Sequence, residues 1–307
     1  MRILVLSPNQ IEKYNWTHQL FRNEISKHYD VVYYGEGFPN YIPEKPIPEL
    51  LKELDNIDLI MTYGMRYTLP FIGLGEISHI PKAHIAVDYF PNATGGTYEA
   101  NHKLFERDKY NIYFGVVSDI VKNLEKNNVC KKAFLLPFSI DTNIYKKLDI
   151  PKKYDIFASF TVRDDTYPNR SKVQNLVRYL SDEYRAYMKR VVHEDYIQKI
   201  NESRLAITSN NKFKSLSIKY YETMACGTLL LADEPEDFSE LGFVDRVHCV
   251  LYKDLDDLFE LIKFYLNHEN LRETIALNGY EFIRNNHNNE IRVKQMIKII
   301  QDELGVK

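Results

Sequence analysis

The sequence predicts an α/β protein made of two halves, each a parallel sheet covered by helices. Three observations carry this. Strand-type and helix-type stretches alternate along the chain, which is the pattern of a parallel sheet with crossover helices. The strand stretches are short and apolar throughout, as strands covered on both faces are. A polar segment near the middle interrupts the pattern, which then restarts. A chain of 307 residues has room for about two domains of roughly 150 residues each.

The elements follow in order. "RILVLS" is the first strand. "THQLFRNEISKHY" has helical spacing, with Leu20, Phe21 and Ile25 on one side and Thr17 as an N-cap. "DVVYYG" is a strand, "IPELLKELDNIDLIMTYG" a helix and a strand, and "HIAVDYF" a fourth strand. "NIYFGVVS" and "AFLLPFS" are the fifth and sixth, with the helix "SDIVKNLEKNN" between them. Residues 139–153, "SIDTNIYKKLDIPKK", are polar and close on Pro-Lys-Lys, the composition of a linker.

In the second half "DIFASFT" is a strand, "NRSKVQNLVRYL" a helix, "EYRAYMK" a strand, "EDYIQKINES" a helix and "RLAITSN" a strand. "SIKYYETMA" is a helix closed by Gly227, and "TLLLAD" the strand that follows. "DDLFELIKFYLN", "NLRETIALNGYEFIRNN" and "NEIRVKQMIKIIQDEL" are terminal helices. The expected organisation is a first domain over 1–145, a second over 146–290, and a last helix, 291–307, packing back toward the first. Ligands of such sheets bind at the carboxyl ends of the strands, so a cleft between the halves is the expected site.

Composition narrows the function. Apolar residues are 44% of the chain, enough for a sizeable core. The net charge of −3 gives no overall steering toward nucleic acid. The three cysteines are scattered without Cys-x-x-Cys spacing, which fits a reducing, cytoplasmic setting. The apolar run at the start is too short for a signal-peptide core, and no run is long enough to span a membrane. No Gly-x-Gly-x-x-Gly or P-loop sequence follows a strand, which argues against dinucleotide binding and NTP hydrolysis. Three lookalikes are discounted: "RDD" at 163–165, which only resembles a metal-binding acid pair, and "NAT" and "NES", which fit a glycosylation pattern without meaning in a cytosolic protein.

One stretch stands out in charge. No acid occurs between Glu202 and Glu222, while Arg204, Lys212, Lys214 and Lys219 all fall there. A helix N-terminus offers unpaired N–H groups and partial positive charge, and lysines beside it could hold a diphosphate. Glu222 lies one turn beyond Lys219 and could accept hydrogen bonds from ribose hydroxyls. The alternative reading of the same residues is a solvated Lys–Glu pair ahead of a core helix.

"KYYETMACGTLLLAD" resembles the Arg-x-Phe-Glu-x-x-Ala-Cys-Gly segment of the CgeB-like glycosyltransferases of GT-B fold. "NVCKKAFLLPFSIDTNIY", "YDIFASF…R", "HEDYIQKINESRLAITSN" and "LRETIALNGYEFIRNNHNNEIRVKQMI" resemble further passages of that family in the same order. Together they cover most of residues 110–300. The resemblance implies two facing Rossmann-type domains and transfer of a hexose from a nucleoside-diphosphate sugar, most often UDP-linked, to an acceptor hydroxyl. It implies no cofactor and no metal, because helix N-termini and cations neutralise the leaving diphosphate.

Carried over residue by residue, Glu222 matches the ribose-binding glutamate. Lys219 stands where the family usually has Arg, so it offers a point charge in place of a bidentate fork. Lys214 stands where related enzymes keep a first glutamate that contacts the donor sugar. Arg163 and Arg170 are candidates for the remaining diphosphate contact, each with a plain surface arginine as the alternative. Ser217 opens the helix at the donor site, and Tyr196 sits where the base of the nucleotide is expected, with a core role as its alternative. For the acceptor, Asp88 at the end of "HIAVD" and His18 after the first strand are candidate bases, with turn formation and plain exposure as their alternatives. "PNATGGTYEANH" is expected to be a long acceptor loop. His287 and Arg292 are expected to dock the last helix. The rival functions are a sugar-nucleotide epimerase of the same fold and an inactive nucleotide-sugar-binding protein. A modified DNA base is a minor option as acceptor. The sugar, the acceptor, the stereochemical outcome and the oligomeric state stay open.

Overall fold

The computed structural model describes residues 1–13, 16–64, 71–87, 89–90, 97–130 and 132–306. The chain divides into two compact units, Met1–Pro137 with Glu290–Lys307, and Phe138–Asn289.

The first unit holds strands β1 (Arg2–Leu6), β2 (Asp30–Tyr34), β3 (Leu59–Tyr63), β4 (Lys82–Ala86), β5 (Ile112–Gly115) and β6 (Ala133–Leu135). Its helices are α1 (Thr17–Ile25), α2 (Ile47–Leu51), α3 (Thr97–Asp108), α4 (Ser118–Lys126) and, from the C-terminal segment, α10 (Asn289–Leu304). The sheet is parallel in the order β2-β1-β3-β4-β5-β6. Ile3, Leu4, Val5 and Leu6 are all buried. That explains the unbroken apolar run, since helices cover both faces.

The second unit holds β7 (Tyr154–Phe157), β8 (Ala186–Tyr187), β9 (Ser203–Ile207), β10 (Leu229–Asp233) and β11 (Val250–Tyr252). They pair in parallel in the order β11-β10-β9-β7-β8. The helices are α5 (Arg170–Leu180), α6 (His193–Asn201), α7 (Ile218–Ala225), α8 (Leu255–Asn267) and α9 (Glu269–Asn286). Ile156, Leu205, Leu229, Leu231 and Val250 form one core with Val173 and Val177 of α5 and Leu258 and Ile262 of α8. Gly227 ends α7 at φ +65°, the left-handed conformation that favours glycine after a helix.

In each sheet the strand order reverses at one point, at β1/β3 and at β7/β9. The carboxyl ends of strands at such a reversal form the ligand crevice of open α/β sheets.

Three local readings differ from the sequence expectation. Thr17 is the first residue inside α1, and the capping position falls on Trp16 with no side-chain cap. Residues 97–102, expected as part of a loop, are the start of α3, and 91–96 lie outside the described residues. β11 has no counterpart in the sequence reading, because it is only 3 residues long and carries too little periodicity to stand out.

Candidate functional site

In the second unit, chemistry gathers at the start of α7, which follows β9. Ser217 precedes the helix in extended conformation and makes no side-chain cap bond. Its Oγ is buried without a partner. No acid lies in the first turn of α7, so its end keeps its partial positive charge uncancelled.

Lys219 projects from that first turn. Its Nζ donates to the Tyr196 hydroxyl at 3.0 Å, lies 4.4 Å from the ring centroid of the same tyrosine, and sits 3.9 Å from Glu222 Oε2. Burial lowers the Lys219 pKa, against the pull of Glu222, and the charges of Arg170 and Arg190 add to the lowering. Glu222 is 6% exposed. Its Oε1 accepts a hydrogen bond from the Tyr145 hydroxyl at 3.1 Å. Tyr196 is buried, with its ring edge-on to Phe157 at 5.4 Å. Burial, and then the charge of Glu222, raise its pKa well above the usual phenol value. A cation, an acid and two phenols thus form one cluster.

Arg170 opens α5 and is 4% exposed. Nε donates to the Ser209 carbonyl at 3.0 Å and Nη1 to the Thr161 carbonyl at 3.1 Å, and its Cζ lies 3.4 Å from the Tyr167 ring centroid. It therefore ties together the backbone just beyond the carboxyl ends of β7 and β9 and lends charge to the crevice. Beside it, Asp233 at the end of β10 accepts from Ser209 Oγ at 2.9 Å and Asn210 N at 2.7 Å. Burial raises the Asp233 pKa. Thr208 Oγ1 and Asn210 Oδ1, just past β9, are buried without partners, which suits groups kept for a ligand.

The other predicted residues lie further out. Arg163 is exposed and turns to its own loop, with Nη2 on Thr166 Oγ1 at 3.0 Å and Nε 3.6 Å from Asp165. Lys214 is exposed at φ +51°, in a turn where Asn211 Oδ1 accepts from the backbone N–H groups of Phe213 and Ser215.

In the first unit, His18 stands in the first turn of α1, partly buried. Its Nδ1 lies 2.9 Å from the Tyr63 hydroxyl. Burial, reinforced by the charge of Arg22, lowers its pKa to about 3. Asp88 lies outside the described residues. His287 is buried, with Nε2 3.2 Å from the Leu241 carbonyl, and Arg292 donates to Gln295 at 2.5 Å.

Sequence reasoning missed three contributors. Tyr145 comes from the segment read as a linker, where no local pattern marks it as buried. Arg190 lies in the "MKRVVHED" stretch after β8. Tyr63 looked like the end of a buried strand and nothing more.

The two parallel sheets, each with its crevice at a strand-order reversal, are those of the GT-B glycosyltransferases. HepE from Anabaena, solved in complex with UDP-glucose, superposes with a TM-score of 0.73 at 12% identity over 98% of this chain and 100% of that one. Sucrose-phosphate synthase from Thermosynechococcus elongatus gives 0.67 at 14% identity over 100% of both chains. A glycosyltransferase from Rickettsia africae gives 0.69 at 13% identity over 100% and 99%. No curated protein matches the chain by sequence. Residues 159–298 match the family described as glycosyl transferase-like, and that stretch holds Arg170, Tyr196, Lys219 and Glu222. The chain thus has the fold of the GT-B glycosyltransferases, and its residues 159–298 are similar to the glycosyl transferase-like family.

Proposed function

We propose that the protein moves a hexose from a UDP-sugar to an acceptor hydroxyl. The observation that carries this reading is the Lys219–Glu222–Tyr145–Tyr196 cluster at the uncapped start of α7. In this reading the diphosphate lies against the α7 N-terminus and Lys219, with Arg170 and Arg190 adding charge, while Glu222 accepts hydrogen bonds from the ribose. The bond from the anomeric carbon to the diphosphate oxygen breaks, and UDP departs with the electron pair. The acceptor oxygen bonds to that carbon and gives up its proton. In an inverting reaction the proton goes to His18 or Asp88.

Charge growing on the departing diphosphate meets fixed cations and backbone dipoles, so no metal is needed to balance it. The Anabaena protein of the same fold was solved with UDP and with UDP-glucose, which supports a UDP-linked donor here. No helix among the described residues is long and apolar enough to cross a membrane. The free cysteines fit a cytoplasmic protein.

A thermal-shift screen over nucleotides and nucleotide sugars tests the donor. A ligand at a hundred times its dissociation constant adds about 2.7 kcal/mol, and UDP is expected to give the largest shift among free nucleotides. No shift with any nucleotide would refute the reading. Release of UDP only when an acceptor is present would separate transfer from epimerisation and from inert binding.

A further inference from the structure

In the first unit Arg22 is a buried cation with no counter-charge among the described residues. Arg22, on α1, is 1% exposed. Its Nη2 makes all three of its hydrogen bonds, to Gln19 Oε1 at 2.7 Å, Gln10 Oε1 at 3.0 Å and the Pro8 carbonyl at 3.3 Å. Every one of these acceptors is neutral. Nε is buried and has no partner. The guanidinium lies 5.0 Å from the Tyr63 ring centroid, and its electrostatic neighbours are Tyr63 and Tyr33, not a carboxylate.

Three other buried cations in this protein are settled differently. Arg272, equally buried, meets Glu269 at 2.9 Å and Glu273 at 3.5 Å. Buried Lys82 spends its Nζ on three carbonyls, of Leu74, Ile77 and Asp108. Arg170 faces Asp233. Burying a charge without pairing it is costly. A neutral side chain could tether Pro8 and Gln10 to α1 without that cost, so the charge itself needs a reason.

The location supplies one. Pro8 lies just past β1 and Tyr63 ends β3, the two strands at the order reversal of this sheet. Gly35, after β2, lets the chain close here, because a Cβ on it would lie 2.1 Å from the Ser7 carbonyl oxygen. His18 is one helical turn before Arg22 on the same face, and both side chains reach Tyr63.

We propose that Arg22 anchors an oxyanion site in the first unit, which takes a phosphate or carboxylate group carried by the acceptor. Assigning the anion to an acceptor rests on the transferase reading, whereas the anion site itself does not. An anion taken up by the unpartnered Nε–H of the guanidinium would supply the missing counter-charge and place the rest of its carrier beside His18. It would also cancel the Arg22 contribution that lowers the His18 pKa.

The test is inorganic phosphate titrated into the full-length protein at constant ionic strength, against chloride, with melting temperature as readout. Phosphate should raise the melting temperature of the wild type. In Arg22→Gln the phosphate affinity should fall at least about tenfold, the loss expected for one charge-assisted hydrogen bond. In Lys219→Met, altered in the donor site, the shift should persist. No shift above chloride would overturn the proposal, and so would a shift kept in Arg22→Gln and lost in Lys219→Met. Should Arg22→Gln fail to fold, the Arg22 Nε–H resonance of the wild type decides, since it should move on phosphate addition and would stay still if the proposal is wrong. Malonate in place of phosphate shows which acidic group is preferred. UDP protection, read separately, reports on the donor: its absence with phosphate protection intact sinks the transferase reading and leaves the anion site standing.

Discussion

Replacement of Glu222 tests the donor site at its most specific point. The side chain is 6% exposed, held by the Tyr145 hydroxyl at 3.1 Å and facing Lys219 at 3.9 Å. A charged hydrogen bond is worth about 1.5–3 kcal/mol and a neutral one about 0.5–1.5. Glu222→Ala removes the acceptor entirely and should weaken UDP binding about 10- to 150-fold. Glu222→Gln keeps shape and an acceptor oxygen, and should cost only about tenfold. Tyr145→Phe frees the carboxylate to turn, and should cost about threefold, with little further loss when combined with Glu222→Ala. Calorimetric titration with UDP and with pyrophosphate, on variants whose circular dichroism is native, separates the possible causes. If Glu222 holds the ribose, UDP affinity falls while pyrophosphate affinity holds or rises, because Lys219 loses a competing partner. Equal losses for both ligands would mean that Glu222 acts through Lys219 and not on the ribose. Unchanged UDP affinity would refute the donor-site assignment.

Three further outcomes are expected. Glu202 is buried, which raises its pKa, but hydrogen bonds from Lys153, Lys199 and Gln198 outweigh burial and bring it from 4.5 to about 2. The stability this gives is present above pH 4.5 and lost as pH falls toward 2. Full linkage would be about 3 kcal/mol, and about 1–2 after allowing for the solvent exposure of Lys153. Glu202→Gln should therefore lower stability at pH 7 and flatten the acid limb of a urea-denaturation series, and an unchanged acid limb would contradict the ion-pair account. Sugar transfer should persist in excess EDTA, since Lys219 and the α7 N-terminus meet the diphosphate charge, and loss of turnover restored by a divalent cation would show that they do not suffice. Gly227→Ala forces a Cβ into φ +65° and should cost about 1 kcal/mol in denaturant unfolding, whereas a neutral result would mean that the turn relaxes to another conformation.

Much of the architecture could be read from the chain because its signals are local. Apolar runs such as "RILVLS" and "TLLLAD" became central strands β1 and β10, and Gly227 ends α7. The acid-free stretch before Glu222 leads to the start of α7, where Lys219 and Glu222 lie 3.9 Å apart. Strand order could not be read, and it is strand order that puts the end of β1 beside that of β3. Tyr145 and Glu222 are 77 positions apart, and His18 and Tyr63 are 45 apart. No periodicity links such pairs. Arg170 and Arg163 looked alike as diphosphate candidates that could equally be surface arginines, yet one is buried across two strand ends and the other is exposed. Burial decides between them, and burial belongs to the tertiary structure.

The two units treat charge differently, and this bears on how ligands would enter. In the second unit Lys219 rests against Tyr196 and Glu222, and Arg170 against backbone carbonyls with Asp233 nearby. An arriving diphosphate must share Lys219 with a carboxylate, so its gain is the difference between two ion pairs. In the proposed reading Glu222, relieved of part of that pairing, is then available to the ribose. Binding there is an exchange of partners, which favours a ligand that brings both an anion and hydroxyl donors over one that brings the anion alone. In the first unit Arg22 has no acid to release among the described residues. An anion there gains against neutral amides and a desolvated charge, so a small oxyanion suffices. The same arithmetic predicts that free phosphate prefers the first unit and UDP the second. The paired titrations of Arg22→Gln and Lys219→Met measure that preference directly.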